Sequence, residues 1–85
     1  MEQPPYIAVE IISPSETAAN VNRKVQALLA WQVHEVWLIY PKTRTVEIQL
    51  PGSARIFSNN DFIASSLIPG WRIWVSEIFE DVTFD

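Results

Sequence analysis

Two apolar runs with one helical period between them decide most of what this chain can fold into. Tyr6-Ile7-Ala8-Val9, continued by Ile11-Ile12, lies between Pro5 and Pro14, and Val36-Trp37-Leu38-Ile39-Tyr40 stops at Pro41. Runs of that length, rich in residues that favour extended backbone, read as strands covered on both faces. Between them Val21, Val25, Leu28 and Leu29 recur on one stripe, which predicts a helix over about residues 15–31. Ser13 or Ser15 can cap it, Pro14 suits the first helical position and Glu16 completes a capping box. Strand, helix and strand within about 35 residues form a right-handed crossover, which sets strands 6–12 and 36–40 parallel and adjacent.

The rest of the chain reads as a meander. Pro41-Lys42-Thr43-Arg44 is a turn, and Thr45 to Leu50 alternates strictly, so an antiparallel strand 45–50 returns with Val46, Ile48 and Leu50 inward. Short strands follow at Arg55-Ile56-Phe57 and Phe62-Ile63-Ala64, each after a turn-forming cluster. Leu67-Ile68-Pro69-Gly70-Trp71 is a bend that closes one end of the core, Val75 to Glu80 is one helical turn, and both chain ends read as loose. The expected fold is therefore α/β in the broad α+β sense: one mixed sheet, one parallel β-α-β crossover and one main helix.

At 85 residues the chain has room for a single core, and 1–85 reads as one domain. No run approaches the roughly 20 apolar residues that span a bilayer, and the N-terminus lacks a signal-peptide pattern, so a cytoplasmic location is expected. The absence of cysteine removes thiol chemistry and disulfides, and the single histidine, His34, reads as a solvated turn residue. Six basic against ten acidic residues give a net charge of −4, the wrong sign for binding nucleic acid over the whole surface. Any DNA contact would be local. Arg23, Lys42, Arg44, Arg55 and Arg72 are spread through helix, turns and short strands, a solvated surface unless folding clusters them. Trp31, Trp37, Trp71 and Trp74 could stack on bases, but apolar neighbours favour core filling or an interface.

Glu10 interrupts the first run. A carboxylate there loses hydration and needs a cation, a donor or a proton. Lys24, at the margin of the helical stripe, is the candidate partner. The pair reads either as a metal and phosphate site or as a buried ion pair kept for structural reasons.

The blocks Val9-Glu10-Ile11-Ile12-Ser13-Pro14-Ser15, Asn22-Arg23-Lys24, Val36 to Pro41 and Ile68-Pro69-Gly70-Trp71, in this order and spacing, resemble one family. It is the C-terminal part of the putative restriction endonuclease family of the PD-(D/E)XK nuclease superfamily. The resemblance implies a restriction-endonuclease-like half-core descended from a magnesium-dependent DNA hydrolase. Glu10 falls on the family's metal-binding glutamate and Lys24 on its helix lysine, so both are implied catalytic residues. Ile12 stands where the superfamily's lysine usually is. The strand that carries the partner aspartate in the family has no counterpart here, and no Asp occurs before Asp61.

Two expectations follow. One is a truncated, degenerate nuclease-like protein using magnesium at Glu10; the other is a non-catalytic interaction module. In either case the 6–12 strand lacks a neighbour, which calls for a second copy or a companion chain to cover it.

Overall fold

A computed structural model describes residues 3–64 and 69–80. The elements are β1 (Ile7–Ile11), α1 (Ala18–Ala30), β2 (Glu35–Tyr40), β3 (Thr45–Leu50), β4 (Ser53–Phe57), β5 (Phe62–Ala64), β6 (Arg72–Trp74) and α2 (Val75–Glu80). The main sheet runs β1-β2-β3-β4, and β5 and β6 pair separately as a two-stranded ribbon. β1 and β2 are parallel in the register Ile7↔Glu35 to Ile11↔Ile39, as the crossover requires, and β2-β3-β4 is an antiparallel meander. No helix among the described residues is long and apolar enough to cross a membrane.

The sheet buries both faces of its middle. Trp37, Ile39, Val46 and Ile48 point to one side, where Ile63, Val75 and Phe79 of the ribbon and α2 cover them. Val36 and Leu38 point to the other, under Val21 and Val25 of α1, with Ile12 and Val33 completing that core. The alternation of β2 between two cores explains its unbroken apolar sequence.

α1 starts later than its sequence pattern implies. Thr17 is the N-cap, its hydroxyl accepting from the Asn20 N–H at 3.1 Å. Ser13 and Glu16 close a separate turn before it, in which the Glu16 carboxylate accepts from the Ser13 N–H at 3.2 Å. The capping-box bond thus exists but caps that turn. At the other end Gln32 takes φ 74°, and the N–H groups of Gln32 and Val33 return to the carbonyls of Leu29 and Leu28. This is a Schellman closure with glutamine where glycine is usual, sealed by Leu28 and Val33 in the same core.

Three expectations change. β1 is the edge strand that its missing neighbour implied, but it is not covered on both faces: Val9 and Ile11, side by side with Trp37 and Ile39 of β2, are 55% and 58% exposed. Arg72–Trp74, unassigned in the sequence reading, is a strand paired with β5. One strand of the expected meander, Phe62–Ala64, therefore leaves the main sheet. The Leu67-Ile68 part of the bend and the tail from Asp81 lie outside the described residues, whereas Trp71 packs on Trp37 with ring centroids 5.8 Å apart.

Candidate functional site

Strand alternation places Glu10 on the α1 side of β1, with Ala8 and Ile12. Its register neighbour is Leu38, whose own antiparallel partner on β3 is Glu47. Glu10 is half-buried, as an acidic side chain on a sheet edge can be without losing access to water. Lys24 sits one position off the buried stripe of α1, next to Val25, and is exposed.

The buried Glu10–Lys24 ion pair is not formed. Lys24 Nζ instead bonds Glu16 Oε2 at 2.9 Å, with both side chains in contact with solvent. That bond, followed by the donation from Ser13, holds the Glu16 carboxyl below the usual carboxylate range. The same bond raises the Lys24 ammonium above its ordinary value, the Glu16 charge adds to it, and the Glu10 charge contributes a smaller push in the same direction. Glu10 and Lys24 therefore share an electrostatic neighbourhood, while Glu16 makes the contact. Glu16 was missed as an ionic partner because it lies eight residues from Lys24, across a turn rather than one helical repeat away.

A groove of ≈ 370 Å³ opens between α1 and the β2-β3 face. Ile12, Val25 and Leu38 form its apolar wall, and Glu16, Tyr40 and Glu47 are among its polar groups. Gln49 donates to Glu47 within it. Burial raises the Tyr40 hydroxyl above its ordinary pKa, and the charges of Glu47 and Glu16 add to that. The groove is acidic, so a phosphate would enter only beside Lys24 or a cation. Glu10 does not line it. Among the described residues no group of three or more His, Asp or Glu is placed to hold a metal ion. Magnesium wants several hard oxygens in octahedral array, and the described residues do not complete that shell around Glu10.

The other candidates separate cleanly. His34 is exposed, with its ring 5.1 Å from that of Tyr6. Of the four tryptophans only Trp37 is buried, and its Nε1 donates to Glu35 at 2.9 Å. Glu35, which immediately precedes the second apolar run, is the one buried charged residue among those described, at 5% exposure. Arg44, Arg55 and Arg72 each lie over a phenylalanine ring, of Phe79, Phe57 and Phe62, at 5.2–5.5 Å. A second, open cleft of ≈ 650 Å³ between β4 and the ribbon includes Arg55, Phe62 and Trp74.

The fold is a mixed sheet with one parallel crossover, carrying Glu10 on its edge strand and Lys24 on the crossover helix. The sequence profile of the Uma2 family, described as putative restriction endonucleases, matches residues 1–76, and the chain belongs to that family. The crystal structure of a putative nuclease belonging to DUF820 from Anabaena variabilis ATCC 29413 superposes with a TM-score of 0.76 at 22% identity, over 89% of this chain. The match spans 44% of that structure's chain. No curated protein matches.

Proposed function

We infer that this chain is a nuclease-like half-core, contributing Glu10 and Lys24 to a site for DNA phosphodiester hydrolysis that needs further carboxylates to be complete. The observation that carries the reading is the position of Glu10: mid-strand on β1, parallel to β2, within the electrostatic reach of a lysine on the crossover helix. Its family membership supports the chemistry. Glu10 would offer one oxygen ligand to a divalent cation such as magnesium, which polarises a phosphate and acidifies bound water. Lys24, held protonated by Glu16, supplies positive charge beside that position. Glu16 tethers the ammonium and sets how far it can reach.

The chain alone is therefore a degenerate catalyst. Plasmid nicking is the direct test, with magnesium or manganese, beside Glu10→Ala and Lys24→Ala. Weak nicking lost in Glu10→Ala and reduced in Lys24→Ala carries the reading. Equal nicking in all three proteins removes Glu10 from the chemistry. No nicking by any of them, even with manganese, overturns the nuclease reading and favours an interaction module.

A further inference from the structure

Among the described residues β1 is paired on one edge only, and the hydrogen-bonding groups of its other edge can be assigned. The Tyr6 carbonyl accepts from the Glu35 N–H, and the Ile12 N–H donates to the Ile39 carbonyl, both toward β2. Because a strand repeats every two residues, the even-numbered positions face β2 and Ile7, Val9 and Ile11 direct their N–H and C=O groups outward. The side chains of Val9 and Ile11 are exposed as well. Nothing on the strand protects it: residues 7–11 contain no proline or lysine, and their one charge, Glu10, points to the α1 side. The opposite edge of the sheet is different, since β4 carries Arg55 and its residues 53–56 are exposed.

We propose that β1 pairs antiparallel with β1 of a second copy of this chain, about a two-fold axis at Ala8, making one continuous eight-stranded sheet. The strand is complementary to itself in that register. Ile7 pairs with the partner's Val9 and Val9 with the partner's Ile7, so outward-pointing residues meet outward-pointing residues and one apolar stripe is shared. Tyr6 faces the partner's Glu10. Its ring lies against His34, so the carboxylate arrives at a hydroxyl and an imidazole rather than at another acid. A shift of the axis to Val9 or Glu10 would set the two Glu10 carboxylates diagonal to or opposite one another, where like charges repel. Charge thus selects the register, and the self-complementary apolar stripe points to a second copy as the occupant. The inference rests on the edge geometry and is independent of any nuclease activity.

Sedimentation and light scattering of the full chain test it, from micromolar to millimolar concentration. The wild-type protein is expected at twice the monomer mass. Val9→Pro removes only an outward N–H and should give a monomer with an unchanged circular dichroism spectrum. Should Val9→Pro fail to fold, Val9→Lys places a charge on the same edge and should also give a monomer. The chain has no cysteine, so Ala8→Cys should cross-link to itself on oxidation while Glu10→Cys should not, because residues opposite each other in a non-hydrogen-bonded pair lie about 4.5 Å apart. A monomeric wild-type chain overturns the proposal and leaves the edge to a strand of another protein. A dimer that survives both Val9 substitutions, or one that Glu10→Cys links and Ala8→Cys does not, overturns it too.

Discussion

β1 and β2 are hydrogen-bonded neighbours with similar composition, yet they occupy opposite physical situations. Five of the six residues of β2 are buried, whereas two of the five in β1 are exposed and the rest are half-buried. The difference lies in what flanks them. β2 is paired on both sides and lies between two cores, so each of its residues has a covering layer. β1 is paired on one side, and the ribbon and α2 do not extend over Val9 and Ile11. An apolar run therefore specifies a strand but not its burial. The acidic residues follow the same division: Glu35 on β2 is enclosed and bonded to Trp37, while Glu10 on β1 keeps access to solvent and to whatever pairs with the edge.

The contrast is broken most directly by truncating equivalent side chains on the two strands. Leu38→Ala opens a cavity under Val21 and Val25 and should cost about 2–5 kcal/mol in denaturant unfolding, a large share of the stability of so small a domain. Ile11→Ala on the exposed edge should cost well under about 1 kcal/mol in the monomer. Comparable losses at the two positions would mean that β1 is covered in solution, as pairing through its edge requires.

Next in size is Glu35. Glu35→Leu removes the acceptor of the buried Trp37 Nε1–H and should cost about 1–3 kcal/mol, while Glu35→Gln keeps an acceptor and should cost less. Trp37 fluorescence reports the change in polarity. If Glu35→Leu is neutral, enclosure is not what separates the two acidic residues.

The parts of this architecture visible in the sequence are those fixed by short-range pattern. The crossover followed from two apolar runs and one helical stripe, and β3 from strict alternation, with its bounds at Thr45 and Leu50. Glu10 and Lys24 were placed on the right elements by their family blocks. What was hidden depends on three-dimensional neighbours. The missing neighbour of β1 was legible from the family blocks, but the exposure of Val9 and Ile11 on one face was not, because an unbroken apolar run reads as covered on both. Glu16 became the partner of Lys24 because Thr17, rather than Ser13, caps α1 and leaves a separate turn that swings the carboxylate back. β6 was obscured because Arg72-Ile73-Trp74 is only three residues long and pairs with an equally short β5.

The link between the two strands offers a smaller effect of opposite sign. Gln32 joins α1 to the turn before β2 with a left-handed backbone, a conformation that costs a side-chain-bearing residue about 1 kcal/mol relative to glycine. Gln32→Gly should therefore raise the unfolding midpoint without altering either strand. A decrease would show that the Gln32 side chain holds the connection by contacts of its own.

The smallest expected effect concerns the charges beside β1, where solvent screens the Lys24–Glu16 bond. The Glu16 carboxyl lies below its ordinary value, so the stability it contributes is present above that value and is lost as pH falls through the lowered one. The Lys24 ammonium lies above its ordinary value, so its contribution is present at neutral pH and is lost as pH rises through the raised one. In a carboxyl-resolved nuclear magnetic resonance titration, Lys24→Met should move the Glu16 midpoint up toward the normal range. The hydrogen bond from Lys24 is the largest cause of that lowering, so its loss should account for most of the movement, with the Ser13 donation holding the rest. If the Glu16 midpoint stays where it is, the ammonium does not rest on that carboxylate in solution and is free to meet another partner beside β1.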